Sequence, residues 1–84
     1  MYSIRYKKSA AKALVKLPAK ISLQFIEAFE NLAVDNSVQL DIKKLRNREG
    51  FRLRIGHYRA LYRVLNDVLV IEVLDLGSRG DIYK

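Results

Sequence analysis

The sequence predicts an α+β domain in which two helices pack on one face of a twisted sheet whose last three strands form an antiparallel meander. Three stretches of alternating apolar and polar residues between positions 51 and 83 are separated by Gly56-His57 and Asn66-Asp67, which are typical hairpin breaks. Two amphipathic helical patterns precede these strands, and a short alternating segment opens the chain. Because the helices come together and the strands follow, both helices are expected on the same side of the sheet.

The first half of the chain is expected to supply one strand and a two-helix hairpin. Residues 2–6 (YSIRY) alternate and predict a strand that joins the sheet. Ser9 can cap the first helix, and Pro18 ends it and can begin the second, which runs over residues 19–33. The apolar positions at helical spacing are Ala10, Ala13, Leu14, Leu17, Ile21, Phe25, Ala28, Phe29 and Leu32.

Residues 41–50 are interpreted as an ordered loop that Ile42 and Leu45 pin to the domain. Basic residues are concentrated in this loop and in the strands after it, at Lys43, Lys44, Arg46, Arg48, Arg52, Arg54, Arg59 and Arg63. With a net charge of +7, this clustering favours a partner that carries phosphates, such as a nucleic acid, and Lys43, Lys44, Arg46 and Arg48 become candidates for binding it. A solvated basic loop is the alternative.

The three later strands are expected to form a meander whose turns fix the pairing. A two-residue loop at Gly56-His57 places Arg54 opposite Arg59. A two-residue loop at Asn66-Asp67 gives the pairs Leu65–Val68, Tyr62–Ile71 and Arg59–Leu74. Like charges that face each other across strands destabilise a sheet, so the arginine pair suggests a site where an anion binds.

Alternation along these strands divides their side chains between two faces. The face expected against the helices carries Phe51, Leu53, Ile55, Tyr58, Ala60, Tyr62, Val64, Leu69, Ile71 and Val73. The opposite face is expected to carry Arg52, Arg54, Arg59, Leu61, Arg63, Val70, Glu72 and Leu74. Within it, Arg63 is expected to form a structural ion pair with Glu72.

Composition narrows the class of protein. The 84 residues form a single domain, 1–84, near the lower size limit for one hydrophobic core. The chain has no cysteine, which excludes disulfides and thiolate zinc sites and fits a cytoplasmic protein, and the lone His57 is expected at a solvated turn. No long apolar run is present, so we expect no membrane span. Because the chain has no cysteine and one histidine, we expect no metal site, and we also expect no small-molecule cofactor.

Three stretches carry a resemblance to a known family: KSAAKALVKLP, IKKLRNREGFRLRIGHYRALYRV and LDLGSRGDIYK. Together they make the chain similar, over nearly its whole length, to RelE/ParE-superfamily toxins of toxin–antitoxin pairs. The resemblance implies a RelE-like fold whose open sheet face is the active surface. It also implies an antitoxin partner, RelB-like or other, and, for the RelE branch, cleavage of messenger RNA on the ribosome.

The resemblance further implies which residues act. The family's basic pair on the first meander strand corresponds to Arg52 and Arg54, and its next arginine, after a tyrosine, to Arg59. Its arginine near the end of the last strand corresponds to Arg79, and its C-terminal tyrosine to Tyr83. The chain departs from many relatives at two positions, where Ser78 replaces a histidine and Gly80 replaces a basic residue.

These side chains are better suited to binding phosphate than to transferring protons. A guanidinium donates two parallel hydrogen bonds to phosphate and remains charged, so it can stabilise a pentavalent phosphorane but is a poor general base. Tyr83 can act either as the base at the 2′-hydroxyl or as a platform on which a nucleobase stacks. Tyr83 can also be a simple terminal residue, and Arg79 can simply pair with Asp81.

Three functions are consistent with this pattern. The first is a ribosome-dependent mRNA endoribonuclease, which the retention of all five candidate catalytic residues favours. The second is a ParE-like inhibitor of DNA gyrase that cuts no RNA. The third is a non-catalytic module that binds RNA or an antitoxin, which the departures at Ser78 and Gly80 keep open.

Overall fold

The structure, a computed structural model, describes residues 1–36 and 39–78. Its elements are β1 (Ser3–Tyr6), α1 (Lys8–Lys16), α2 (Ala19–Ala33), β2 (Asp41–Lys44), β3 (Phe51–Ile55), β4 (Tyr58–Leu65) and β5 (Val70–Ser78). The strands form one sheet in the order β1-β5-β4-β3-β2, with β1 parallel to β5 and the other pairs antiparallel. Two helices packed on one sheet confirm the predicted α+β class. Within the described ranges no helix is long and apolar enough to cross a membrane.

The core lies between the helices and one face of the sheet, and aromatic rings fill its centre. Phe25 and Phe29 of α2 are fully buried. The ring of Phe29 meets Tyr6 and Tyr62 edge-on, at centroid distances of 6.1 and 5.4 Å, and Phe51 stacks on Tyr62 at 5.4 Å. Tyr62 packs in the core, as predicted, and burial raises the pKa of its hydroxyl to about 12.

The start of α1 differs from the prediction. Lys7 is the N-cap residue and makes no side-chain cap, whereas Ser9 lies inside the first turn. The Ser9 hydroxyl donates instead to the carbonyl oxygen of Leu74 in β5, at 3.2 Å, so Ser9 ties the helix to the sheet. Pro18 follows α1 and is the N-cap residue of α2, and it therefore separates the two helices as predicted.

Residues 41–44 form a fifth strand, β2, where the sequence indicated a loop. This edge strand pairs with β3 and places Asp41 opposite Arg54 and Lys43 opposite Arg52. Its one apolar residue, Ile42, packs against the core. Because a short, charged edge strand carries little hydrophobic pattern, the sequence of β2 resembles that of a polar loop.

The β4–β5 connection is a four-residue turn, 66–69, and the two-residue loop predicted there is wrong. Tyr62 consequently pairs with Val73. Leu69 lies in the turn with a φ of 53° and is exposed, so it does not belong to the core face. The observed register of β4 against β5 differs from the predicted one by two residues. Because side chains alternate with a period of two, the other residues stay on their predicted faces.

A β-bulge interrupts the same pair of strands. Tyr62 pairs with Val73 while Leu61 pairs with Asp75, so Leu74 is the extra residue and has no partner on β4. As a result Arg59 lies opposite Gly77, and the predicted pairing of Arg59 with Leu74 is wrong. The bulge also brings Leu76 into the core.

Candidate functional site

The sheet surface that faces away from the helices carries most of the described candidate residues, and we call it the open face. Alternate residues of paired strands line up across it in rows. The first row contains Asp41, Arg54, Arg59 and Gly77. The second contains Lys43, Arg52, Leu61 and Asp75, and the third contains Arg63, Glu72 and Arg5. Six of these side chains are basic and three are acidic.

The first row contains the predicted pair of arginines. Arg54 and Arg59 lie directly opposite each other on β3 and β4, which confirms the pairing predicted from the Gly56-His57 turn. Arg54 is 49% exposed and Arg59 is half-buried. On the other side of Arg59, Gly77 adds no side chain to the row. Two arginines are therefore paired near the centre of the sheet, and the next position of the row, Gly77, carries no side chain.

Asp41 on β2 was not among the predicted site residues, yet it contacts two of them. Its Oδ2 atom lies 2.8 Å from Nε of Arg54, and its Oδ1 atom accepts a hydrogen bond of 3.2 Å from Nη2 of Arg52. Arg52 is only 15% exposed, and its buried Nε has no hydrogen-bond partner among the described residues. Asp41 thus offsets part of the repulsion expected among these arginines. The sequence could have revealed it only if residues 41–44 had been identified as a strand.

Glu72 occupies the third row and is held by arginines on both sides. Its Oε1 atom accepts a 2.7 Å hydrogen bond from Nε of Arg63, and its Oε2 atom accepts a 2.9 Å bond from Nη2 of Arg5. The Arg63 hydrogen bond is the main reason that the pKa of Glu72 lies below its usual value; burial opposes this effect and Arg5 reinforces it. The predicted structural pair of Arg63 and Glu72 is confirmed, with the two residues directly opposite each other.

We expect Glu72→Gln to lower the free energy of unfolding at pH 7 by about 2 kcal/mol, because the two arginines lose their buried carboxylate. The folded-state pKa of Glu72 lies below its ordinary value of 4.5, so the stabilisation is complete above about pH 4.5 and is lost as pH falls through the lower folded-state value. Thermal unfolding followed by circular dichroism between pH 7 and pH 3 measures both effects. Glu27→Gln, on the exposed side of α2, is the control. Equal stabilities of the two variants across this range would contradict the expected role.

The basic segment 43–48, which begins in β2 and continues beyond it, lies next to the open face. Its residues line a depression of about 370 Å³, whose walls are Lys43, Lys44, Leu45, Arg46, Asn47, Arg48 and Arg52. Lys43 and Arg52 also belong to the second row of the open face. The basic cluster predicted from the sequence is therefore continuous with the paired arginines, and together they form one positively charged surface.

Two predicted site residues, Arg79 and Tyr83, lie outside the described residues, as does Gly80. The last described residue, Ser78, ends β5 opposite Tyr58. Tyr58 is partly buried against the core, as predicted, and the exposed His57 lies in the β3–β4 turn, as predicted.

Known proteins resemble this chain in both sequence and fold. Residues 4–83 match the family described as the ParE toxin of type II toxin–antitoxin systems, parDE. The toxin RelG of Mycobacterium tuberculosis is 33% identical to this chain, and the alignment covers 99% of this chain and 97% of RelG.

Two crystal structures of toxin–antitoxin complexes have a similar chain. One is the RelBE2 complex of Mycobacterium tuberculosis, with a TM-score of 0.76, 30% identity and coverage of 93% of this chain and 98% of the other. The second is the RelE–RelB complex of the archaeon Pyrococcus horikoshii, with a TM-score of 0.74, 31% identity and coverage of 95% and 97%. The family match and these relatives show that this chain belongs to the RelE/ParE superfamily and is a toxin of a type II toxin–antitoxin system.

Proposed function

We propose that this toxin is a ribosome-dependent mRNA endoribonuclease, in which a 2′-hydroxyl of the message loses its proton and attacks the adjacent phosphate. The bond from phosphorus to the 5′-oxygen of the next nucleotide breaks, that oxygen leaves as a hydroxyl, and translation stops. The observation that carries the proposal is the direct juxtaposition of Arg54 and Arg59 on an exposed sheet face, with Arg52 one row away. Such guanidinium groups donate bidentate hydrogen bonds to phosphate oxygens. Held on a rigid sheet, they stabilise the negative charge that develops on these oxygens in the transition state.

Each candidate residue has a role in this proposal. Arg59 and Arg79 hold the scissile phosphate and stabilise its developing charge, and Arg52 and Arg54 bind adjacent phosphates. The depression formed by the basic segment binds the flanking RNA backbone or ribosomal RNA. Its basic residues are Lys43, Lys44, Arg46 and Arg48.

Proton transfer is assigned to Tyr83, because an arginine remains protonated at neutral pH. Guanidinium groups brought close to Tyr83 would favour its phenolate, so a larger fraction of the residue would be in the form that accepts a proton. The same ring could instead stack on a nucleobase. Ser78 and Gly80 add no group that titrates near neutral pH. Because the toxin has few groups that can transfer protons, the ribosome must hold the message in a geometry in which the 2′-hydroxyl can attack.

The proposed regulatory partner is an antitoxin. The similar chains from Mycobacterium tuberculosis and Pyrococcus horikoshii were crystallised in RelBE2 and RelE–RelB complexes. A RelB-like antitoxin with an acidic segment would complement the basic surface that extends from Lys43 to Arg59. Complementary charge speeds association and disfavours wrong partners.

Inhibition of DNA gyrase is the second candidate function, and two observations favour it. The matched family is described as the ParE toxin of parDE systems. In addition, Asp41 engages Arg52 and Arg54, which reduces the positive charge they offer to RNA. Under this alternative the open face contacts protein rather than a scissile phosphate.

Variants at Arg79 and Tyr83 distinguish an RNA-cleaving toxin from one that only binds its target. We expect Arg79→Ala to slow single-turnover cleavage of ribosome-bound mRNA by about 100-fold, and to weaken ribosome binding much less, because many other basic residues contact phosphates. If Tyr83 is the base, Tyr83→Phe should be as slow as Tyr83→Ala; if the ring only stacks, Tyr83→Phe should resemble the wild type.

A gyrase supercoiling assay run with the same protein samples completes this test. Near-normal cleavage by both Arg79→Ala and Tyr83→Ala would exclude this catalytic site. Loss of supercoiling without any cut mRNA would establish the gyrase alternative in its place.

A further inference from the structure

Two carboxylates on the open face are each held by two arginines, but in very different settings. Glu72 lies within β5, inside the sheet, and its side chain is 9% exposed. Asp41 lies on the edge strand β2, and its side chain is 44% exposed. Burial makes the first carboxylate a permanent part of the fold, whereas solvent can reach the second and replace its contacts.

The contacts of Asp41 imitate those of a bound anion. One oxygen lies 3.2 Å from Nη2 of Arg52 and the other 2.8 Å from Nε of Arg54, so the carboxylate bridges two guanidinium groups. A phosphate that approaches the same groups would present its oxygens to the same donors. The surrounding side chains are basic as well, since Lys43 lies opposite Arg52 and Arg59 lies opposite Arg54.

We infer that Asp41 is an internal competitor for the phosphate site of the open face, and that an RNA phosphate binds Arg52 and Arg54 only by displacing its carboxylate. This inference rests on the proposed function, because it assumes that the open face binds an RNA backbone. Asp41 and Arg54 are 44% and 49% exposed, so their ion pair contributes little net free energy and a polyanion can replace it. While RNA is absent, Asp41 holds both guanidinium groups in place and lowers the affinity of the site for small anions.

The test measures binding without cleavage, using a fluorescent 2′-O-methyl oligoribonucleotide, which lacks the attacking hydroxyl. Asp41→Asn keeps the size of the side chain and removes its charge. We expect it to bind the oligonucleotide about fivefold more tightly than the wild type in fluorescence anisotropy at fixed salt. The dependence of log affinity on log salt should stay near the wild-type slope, since Arg52 and Arg54 neutralise the same phosphate in both proteins.

Two further variants make the result specific. Asp67→Asn changes the net charge by the same amount in the exposed turn between β4 and β5, at the end of β4 remote from the Arg54–Arg59 pair. It should leave both the affinity and the salt slope near their wild-type values. Asp41→Thr also removes the carboxylate, suits a β-strand and should tighten binding by a similar factor, so the inference does not depend on the folding of a single variant.

The outcomes separate this inference from the proposed function. If the proteins bind the oligonucleotide but Asp41→Asn and Asp41→Thr bind no more tightly than Asp67→Asn, Asp41 does not compete with phosphate and the proposed function is untouched. If none of the proteins binds the oligonucleotide, the open face does not bind RNA, and the inference fails together with the RNA-binding part of the proposed function. If both variants bind more tightly but the wild-type toxin leaves ribosome-bound mRNA uncut, the nuclease proposal fails and the competition stands.

Discussion

Arg59→Ala is expected to slow single-turnover cleavage of ribosome-bound mRNA by about 100-fold or more. Arg59 lies on the central strand of the open face, opposite Arg54 and next to Gly77, which adds no side chain to the row, and we propose that the scissile phosphate binds here. A donor that acts mainly on the transition state contributes to the rate of the chemical step rather than to ground-state binding. The loss should therefore appear in the cleavage rate at saturating ribosomes.

Two variants control for charge and for geometry. Lys20→Ala removes one positive charge from the exposed surface of α2, on the helical side of the sheet, and should leave the rate unchanged. Arg59→Lys keeps a charge without the planar fork and should recover only part of the lost rate. A cleavage rate of Arg59→Ala within a few-fold of the wild type would contradict the assignment.

Gly50→Ala is expected to destabilise the fold by about 3 kcal/mol or more. Gly50 is buried just before β3 with a φ of +125°, a conformation that side chains other than glycine rarely adopt. A Cβ atom at this position would lie 2.7 Å from the backbone carbonyl oxygen of Tyr62, which cannot move without disturbing β4. Since a domain of this size has a total stability of roughly 4–13 kcal/mol, such a loss is a large part of it.

Gly56→Ala is the matched control for this loss. Gly56 also has a positive φ, +59°, but a Cβ atom there would meet nothing within 4 Å. Its replacement should cost only about 1 kcal/mol, the penalty of the left-handed conformation alone. Urea unfolding of both variants measures the difference, and equal losses would show that the contact with Tyr62 is unimportant.

The parts of the fold that depend on local pattern were predictable from the sequence. Helical spacing identified the buried positions of α1 and α2, including Phe25 and Phe29. The Gly56-His57 turn fixed the pairing of Arg54 with Arg59, because a two-residue loop leaves one register. Alternation along β3 and β4 then placed the arginines on the face away from the helices.

The features that sequence reasoning missed arise from contacts between distant segments. β2 contains one apolar residue, Ile42, and becomes a strand only through its pairing with β3. The bulge at Leu74 is stabilised by Ser9 from the other end of the chain, and Asn66 in the longer turn accepts a hydrogen bond from the Tyr2 hydroxyl. The pairing of β2 with β3 also brings Asp41 into the candidate site. Because β2 was not predicted as a strand, Asp41 was not predicted as a site residue.

The most direct test of the proposed reaction replaces one ribose of ribosome-bound mRNA by 2′-deoxyribose at the nucleotide whose 2′-hydroxyl would attack. Attack by that hydroxyl requires its oxygen, so the account predicts that the toxin cuts the all-ribose message at this position and leaves the deoxy-substituted message intact there. The upstream product of the all-ribose message should carry a 2′,3′-cyclic phosphate. Equal cleavage of the two messages at the same bond, or no cleavage of either, would contradict the account.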